Sequence, residues 1–137
     1  MAKIQITQDM LDLAKQNRAR LQLGNVEFVQ SRITDIPLEA GIADIVISNC
    51  VINLVPEVEK QVVFNEVSRL LKPGGRVSIS DILAKKAIPE DLRNSVSAYV
   101  GCVSGASLVS QYQTYLEASG FSGKTCSTKL VLVDTEP

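Results

Sequence analysis

The sequence contains no histidine. Imidazole is the usual general base near neutral pH, the common partner of a nucleophilic cysteine and a frequent zinc ligand, so its absence removes three kinds of site together. Cysteine is scarce as well: three residues, Cys50, Cys102 and Cys126, an odd number without close-paired spacing. That fits thiols in a reducing compartment better than a disulfide framework. No apolar run is long enough to span a bilayer, and Met1-Ala2-Lys3 is not followed by a signal-peptide core. A cytoplasmic location without membrane partners is therefore expected. Lys and Arg (14) nearly balance Asp and Glu (15) and are spread along the chain, which leaves no electrostatic footprint for nucleic acid. Internal repeats, low-complexity tracts and linkers are also missing.

What is present is a globular composition. With 137 residues, 45% hydrophobic and 21% charged, the chain can bury one core, so residues 1–137 are expected to form a single domain. Ala2 to Ile6 is a short apolar strand. Thr7 then reads as an N-cap for a helix that presents Met10, Leu13, Ala14 and Leu21 on one face and ends at Gly24-Asn25. Val26 to Val29 alternates like a strand, and the loop through Asp35-Ile36-Pro37 leads to a more buried strand, Asp44 to Ile47. Pro56 opens a helix with the face Val63, Val67, Leu70 and Leu71. Lys72-Pro73-Gly74-Gly75 stops it before the strand Arg76 to Ile82. Pro89 to Val100 and Ser107 to Ser119 read as helices, and Phe121 to Thr128 with Leu130 to Val133 as closing strands. Alternating strands and helices predict a parallel α/β sheet. Phe28, Phe64 and Phe121 are core candidates.

Two segments carry a resemblance. Ala43-Asp44-Ile45-Val46-Ile47-Ser48-Asn49-Cys50-Val51-Ile52-Asn53-Leu54, followed by Glu66-Val67-Ser68-Arg69-Leu70-Leu71-Lys72-Pro73-Gly74-Gly75-Arg76, resembles class I S-adenosylmethionine-dependent methyltransferases. Ser48 to Leu54, with Tyr99-x-x-Cys102-x-x-Gly105 further on, is similar to the arsenite methyltransferase branch in particular. Matching order and spacing run from Thr7-Gln8-Asp9-Met10-Leu11 to Gly120-Phe121.

The resemblance implies a doubly wound, Rossmann-like sheet with S-adenosylmethionine across the carboxyl ends of its first strands. It also implies an incomplete one, because the family's first strand and glycine-rich loop precede the point where this sequence starts. Gly74-Gly75 is a helix-stop turn and does not replace that loop. The family's ribose-binding acid aligns with Gln5, which hydrogen-bonds without charge assistance. Its acidic contact near adenine aligns with Arg32, leaving Asp35 as the nearest carboxylate. Ile33 is placed to cover an adenine face, and Asn49 to line the crevice. Weakened cofactor binding is the expectation.

The resemblance assigns Cys50 and Cys102 to trivalent arsenic, a soft centre matched to thiolate. It implies that the arsenic lone pair attacks the sulfonium methyl, with catalysis mainly by orientation, so no separate catalytic residue and no metal ligand set is assigned. The alternative for each cysteine is a small core hydrophobe, which is the reading for Cys126. Gly101, Gly105 and Ala106 permit either close approach to a bound metalloid or a tight turn. Asp81 either lines the crevice or is a solvated loop group, Lys85-Lys86 is a surface pair, and Tyr99, Tyr112 and Tyr115 are expected to pack with hydroxyls at the rim.

Three functions follow. The first is methyl transfer to thiol-bound arsenite. The second is a non-catalytic module that captures arsenite through Cys50 and Cys102. The third is a methyltransferase for another small molecule, against which the Ser48 to Leu54 segment speaks. The absent central strand leaves unpaired inner edges, so a homo-oligomer, most simply a dimer, is expected.

Overall fold

The computed structural model describes residues 2–5 as backbone only, and residues 7–89 and 103–122 in full. The expected helix over 89–100, Tyr99, Gly101, Cys102, Cys126 and the closing strands beyond 122 fall outside the described residues, apart from Pro89.

Strand β1 (Ala2–Gln5) leads into helix α1 (Gln8–Arg20), and the chain returns as β2 (Glu27–Gln30), parallel to β1 with Ala2 opposite Glu27 and Gln5 opposite Gln30. Thr7 is the cap of α1, its hydroxyl accepting from the Met10 N–H at 3.4 Å. The apolar face read from the sequence is not the buried one. Leu11 is the residue of α1 that is buried, while Met10 and Leu13 are more than half exposed. Period alone identifies an apolar stripe without saying what covers it.

A second parallel pair joins β3 (Ala43–Asn49) to β4 (Leu71–Ser80) through helix α2 (Lys60–Leu70), preceded by single 3₁₀ turns at Ile52–Leu54 and Glu57–Glu59. Helix α3 (Val109–Ala118) follows. The Lys72-Pro73-Gly74-Gly75 stop lies within β4 and not before it. Ala43 faces Leu71, but Ile45 already faces Arg76, so the Pro-Gly-Gly segment is looped out of the ladder, with Gly74 at φ +79. Glycine takes that conformation without a Cβ penalty.

Among the described residues β1 pairs with β2 only and β3 with β4 only, so the parallel sheet is split into two two-stranded ladders. The split also changes the burial of β3. Val46 packs towards the core, but Ile45 and Ile47 are 51% and 78% exposed, so β3 is covered on one face and not on both.

The core lies between the β3–β4 pair and the helices α2 and α3. Val63, Phe64 and Val67 from α2 join Ile52, Leu71 and Tyr112, with Val46, Val77 and Ile79 packed against them from the sheet. The Phe64 ring meets Tyr112 edge-on at 4.9 Å and stacks on Tyr115 at 5.7 Å. Among the described residues no helix is long and apolar enough to cross a membrane.

A polar clasp holds the loop after β2 onto this core. Glu66 accepts from the Ile36 N–H at 2.8 Å and pairs with Arg69 at 2.6 Å, while Arg69 donates to the Leu38 and Ile36 carbonyls at 2.8 and 2.9 Å. Ile36 is buried beneath it. The Arg69 hydrogen bonds lower the Glu66 carboxyl; burial pushes the other way, and the Ile36 N–H with the Arg69 charge adds to the lowering. Because the folded value lies below the unfolded one, this stabilisation is present above about pH 4.5 and is lost as pH falls through the folded value. Glu66→Gln is expected to cost ~1.5 kcal/mol at neutral pH. It should also flatten the acid limb of urea midpoints measured from neutral pH downwards. An acid limb as steep as in the parent chain would contradict the clasp.

Candidate functional site

The carboxyl end of β3 is where the candidate residues gather. Asn49 is the last residue of the strand, opposite Ser80, and the Cys50 N–H extends the ladder by one bond to the Ser80 carbonyl at 2.9 Å. Cys50 then turns out of the sheet with φ +54, a left-handed conformation that costs energy in any residue carrying a Cβ and persists when its surroundings enforce it. They do so from below. Ile52 is fully buried in the core, and the Asn53 amide donates to the Ile82 carbonyl at 2.7 Å. The thiol at the top of this turn is exposed and donates to the Asn49 side-chain oxygen at 3.7 Å.

Asp81 stands under the same turn. It is half-buried and not a solvated loop group, and Tyr112 donates to it at 3.3 Å. Burial raises its carboxyl above the ordinary range; the Tyr112 hydroxyl and the N–H groups of Cys50, Ile52 and Asn53 oppose that rise. Burial and the neighbouring Asp81 push the Tyr112 phenol far up, so it stays a donor.

Against this turn lies the segment that follows Cys102 in sequence. Ala106 N–H bonds back to the Val103 carbonyl at 3.0 Å, and Ala84 brackets the segment by donating to Ser107 and accepting from Val109. Gly105 makes a close approach, but to protein backbone: a Cβ there would lie 1.8 Å from the Asn53 carbonyl oxygen. Lys60, wholly buried, donates to Glu57 at 2.9 Å, to the Ser107 hydroxyl at 2.7 Å and to the Gly105 carbonyl. Burial raises the Glu57 carboxyl, and bonds from Lys60, Tyr115 and Ser107 with the Lys60 charge more than offset it. The Tyr115 phenol is pushed up to about 12, by burial and by Glu57.

The remaining candidates are spread over other strand ends. Gln5 closes β1 opposite Gln30. Ile33 sits in the turn bridged by Arg32 and Asp35, half-buried with its side chain against the core, and Arg32 pairs with Glu59 at 3.4 Å. Among the described residues no three His, Cys, Asp or Glu are grouped to hold a metal ion. Lys60 and Glu57 went unread in the sequence. The available signal was a lysine standing on the apolar stripe of α2, one turn before Val63 and Phe64.

The chain is similar over its length to arsenite methyltransferases. It is 38% identical over 126 residues to that of Halobacterium salinarum, covering 92% of this chain and 32% of the relative. To that of Mus musculus it is 41% identical over 117 residues, 82% of this chain and 29% of the relative. The chain thus spans about a third of the length of these curated relatives. The crystal structure of an arsenic (III) S-adenosylmethionine methyltransferase from Chlamydomonas reinhardtii superposes with a TM-score of 0.74 at 31% identity, over 87% of this chain and 42% of that one. The two parallel pairs are accordingly parts of an incomplete Rossmann-like, class I methyltransferase sheet. With residues 1–120 matching the methyltransferase domain, the chain belongs to the methyltransferase-domain family.

Proposed function

We propose that this chain, located in the cytoplasm, holds trivalent arsenic through Cys50 and Cys102 and directs a methyl group from S-adenosylmethionine onto it. The observation that carries the reading is Cys50 itself: an exposed thiol, held in a left-handed turn at the carboxyl end of a parallel strand. That is the edge of an open α/β sheet at which ligands bind. The arsenite methyltransferase relatives point to the same chemistry.

Two thiols condensing with arsenite form two As–S bonds and release two hydroxyls as water, leaving the arsenic lone pair free to act as the nucleophile. Thiolate is the matching soft ligand, and the histidine-free sequence offers no imidazole competitor. Asn49, accepting from the Cys50 thiol, fixes its direction, and the turn above Ile52 keeps it clear of the core. In this reading the adenosine part of the cofactor is assigned to Gln5 at the end of β1, Ile33 in the turn after β2 and Asn49 at the end of β3. S-adenosylmethionine supplies an electrophilic methyl group on a sulfonium.

A second reading is arsenite capture without methyl transfer, for which the exposed Cys50 thiol acts as a ligand alone. Incubation with arsenite, a thiol reductant and methyl-labelled S-adenosylmethionine separates the two. Labelled methylarsenicals support transfer, whereas arsenite retained by the protein without label leaves capture.

A further inference from the structure

We propose that Asp81 is the positioning residue of the Cys50 turn: from the end of β4 its carboxylate takes up the N–H groups of the turn and keeps the thiol standing clear of the sheet. The inference rests on the thiol reading above and adds to it the group that presents Cys50.

The turn is tied to consecutive residues of one chain segment. At its start the Cys50 N–H donates to the Ser80 carbonyl at 2.9 Å, and at its far end the Asn53 amide donates to the Ile82 carbonyl at 2.7 Å. Asp81 lies between these anchors. Its Oδ2 accepts from the Tyr112 hydroxyl at 3.3 Å, so α3 holds the carboxyl group in place, while Oδ1 is sealed from solvent and among the described residues has no close partner. The N–H groups of Cys50, Ile52 and Asn53 face this carboxyl group.

Those N–H groups need an acceptor. Ile52–Leu54 is a single 3₁₀ turn whose opening N–H groups have none within the turn, and Val51 before it supplies no capping side chain. Ile52 is fully buried and Asn53 is 3% exposed, so water is not at hand to replace one. A carboxylate brought in from the end of the neighbouring strand serves as the cap. Cys50 depends on it in turn. A residue with a Cβ stays at φ +54 where its surroundings over-determine it, and the Ser80 and Ile82 anchors with the Asp81 carboxylate do so here. Without them the backbone relaxes and the thiol leaves its place beside the Asn49 oxygen.

Stability does not account for Asp81. Burial raises its carboxyl and outweighs the donors around it, so the folded value lies above the unfolded one. The favourable contribution is therefore present below the unfolded value and is lost as pH rises through the folded one. In its ionised form Asp81 costs the fold stability, and a carboxylate kept at such a cost beneath an exposed thiol has the character of a functional group.

The test uses the full chain in reducing buffer. Each sample gives the intraresidue HN–Hα cross-peak of Cys50, which is strong when φ is positive because the two protons then lie close together, the arsenite affinity by equilibrium dialysis, and the urea midpoint. Asp81→Asn keeps the volume and one acceptor oxygen and removes the charge. It is expected to weaken the cross-peak and to lower arsenite affinity by about threefold or more, with a urea midpoint at or above that of the parent. Asp81→Ala removes both acceptors, and should abolish the strong cross-peak and lower the affinity by about tenfold or more. If Asp81→Ala does not fold by circular dichroism, Asp81→Asn decides the matter. The positioning role is overturned by a folded variant in which either the cross-peak or the arsenite affinity stays at the parent value, and by an Asp81→Asn affinity loss that comes with a lowered urea midpoint. Failure of the thiol reading is told apart by Cys50→Ser, which would then bind arsenite as the parent does.

Discussion

Cys50→Ser is expected to lower arsenite affinity by two orders of magnitude or more, about 2.8 kcal/mol. Serine reproduces the shape of cysteine and keeps the hydrogen bond towards Asn49, so the turn at φ +54 is undisturbed. The change is chemical. A hydroxyl stays protonated and is a hard ligand, whereas trivalent arsenic is held by thiolate. Losing one of two thiols also converts a ring-forming, two-point attachment into a single bond that exchanges freely with water. Because Cys50 is exposed, the thermal midpoint should stay within about a degree or two of the parent. Equilibrium dialysis against arsenite under reducing conditions reads the affinity. An unchanged value would mean that Cys50 contributes packing or nothing, and the metalloid site would be wrong.

The largest stability effect is expected at Phe64. Its ring is wholly buried, meets two tyrosines, and sits where α2, α3 and the β3–β4 pair converge. Phe64→Ala removes the transfer free energy of the ring, leaves a cavity and breaks both aromatic contacts, together about 3–5 kcal/mol. Small domains are stable by only about 5–15 kcal/mol, so this loss takes a large part of the stability margin. Urea denaturation followed by far-ultraviolet circular dichroism measures the shift. Val63→Ala, beside it and equally buried, should lose roughly half as much. A Phe64→Ala loss below about 1.5 kcal/mol would show that the core is organised around another residue.

Much of the fold was legible because local chemistry and tertiary structure agree. Thr7 caps α1 as its hydroxyl and position suggest, and the Val63, Val67, Leu70 and Leu71 stripe faces the core. Tyr112 and Tyr115 pack their rings and keep their hydroxyls at polar partners. The misreadings share one cause. A sequence pattern states that a face is apolar but not whether anything lies over it, so Met10, Leu13, Ile45 and Ile47 read as buried and are exposed. The Pro-Gly-Gly segment read as a boundary because proline and glycine interrupt a ladder, yet pairing resumes beyond it at Arg76 and the strand encloses the interruption.

The site was legible to a smaller degree. Cys50 and Asn49 emerged from the Ser48 to Leu54 segment and stand together at a strand end. Lys60 did not, since a charged side chain on an apolar stripe acquires meaning only when its acceptors, which arrive from residues 57, 105 and 107, are seen. Asp81 is similar. Its burial depends on Tyr112, far along the chain, and on a turn whose N–H groups face it.

Calorimetric titration with S-adenosylmethionine, followed on the same sample by arsenite and a search for labelled methylarsenicals, tests the central claim most directly. The account predicts saturable binding of the cofactor, and label transferred to arsenite in the parent chain but not in Cys50→Ser. Label transferred equally by both chains would contradict it, as would cofactor bound with no methyl reaching arsenic.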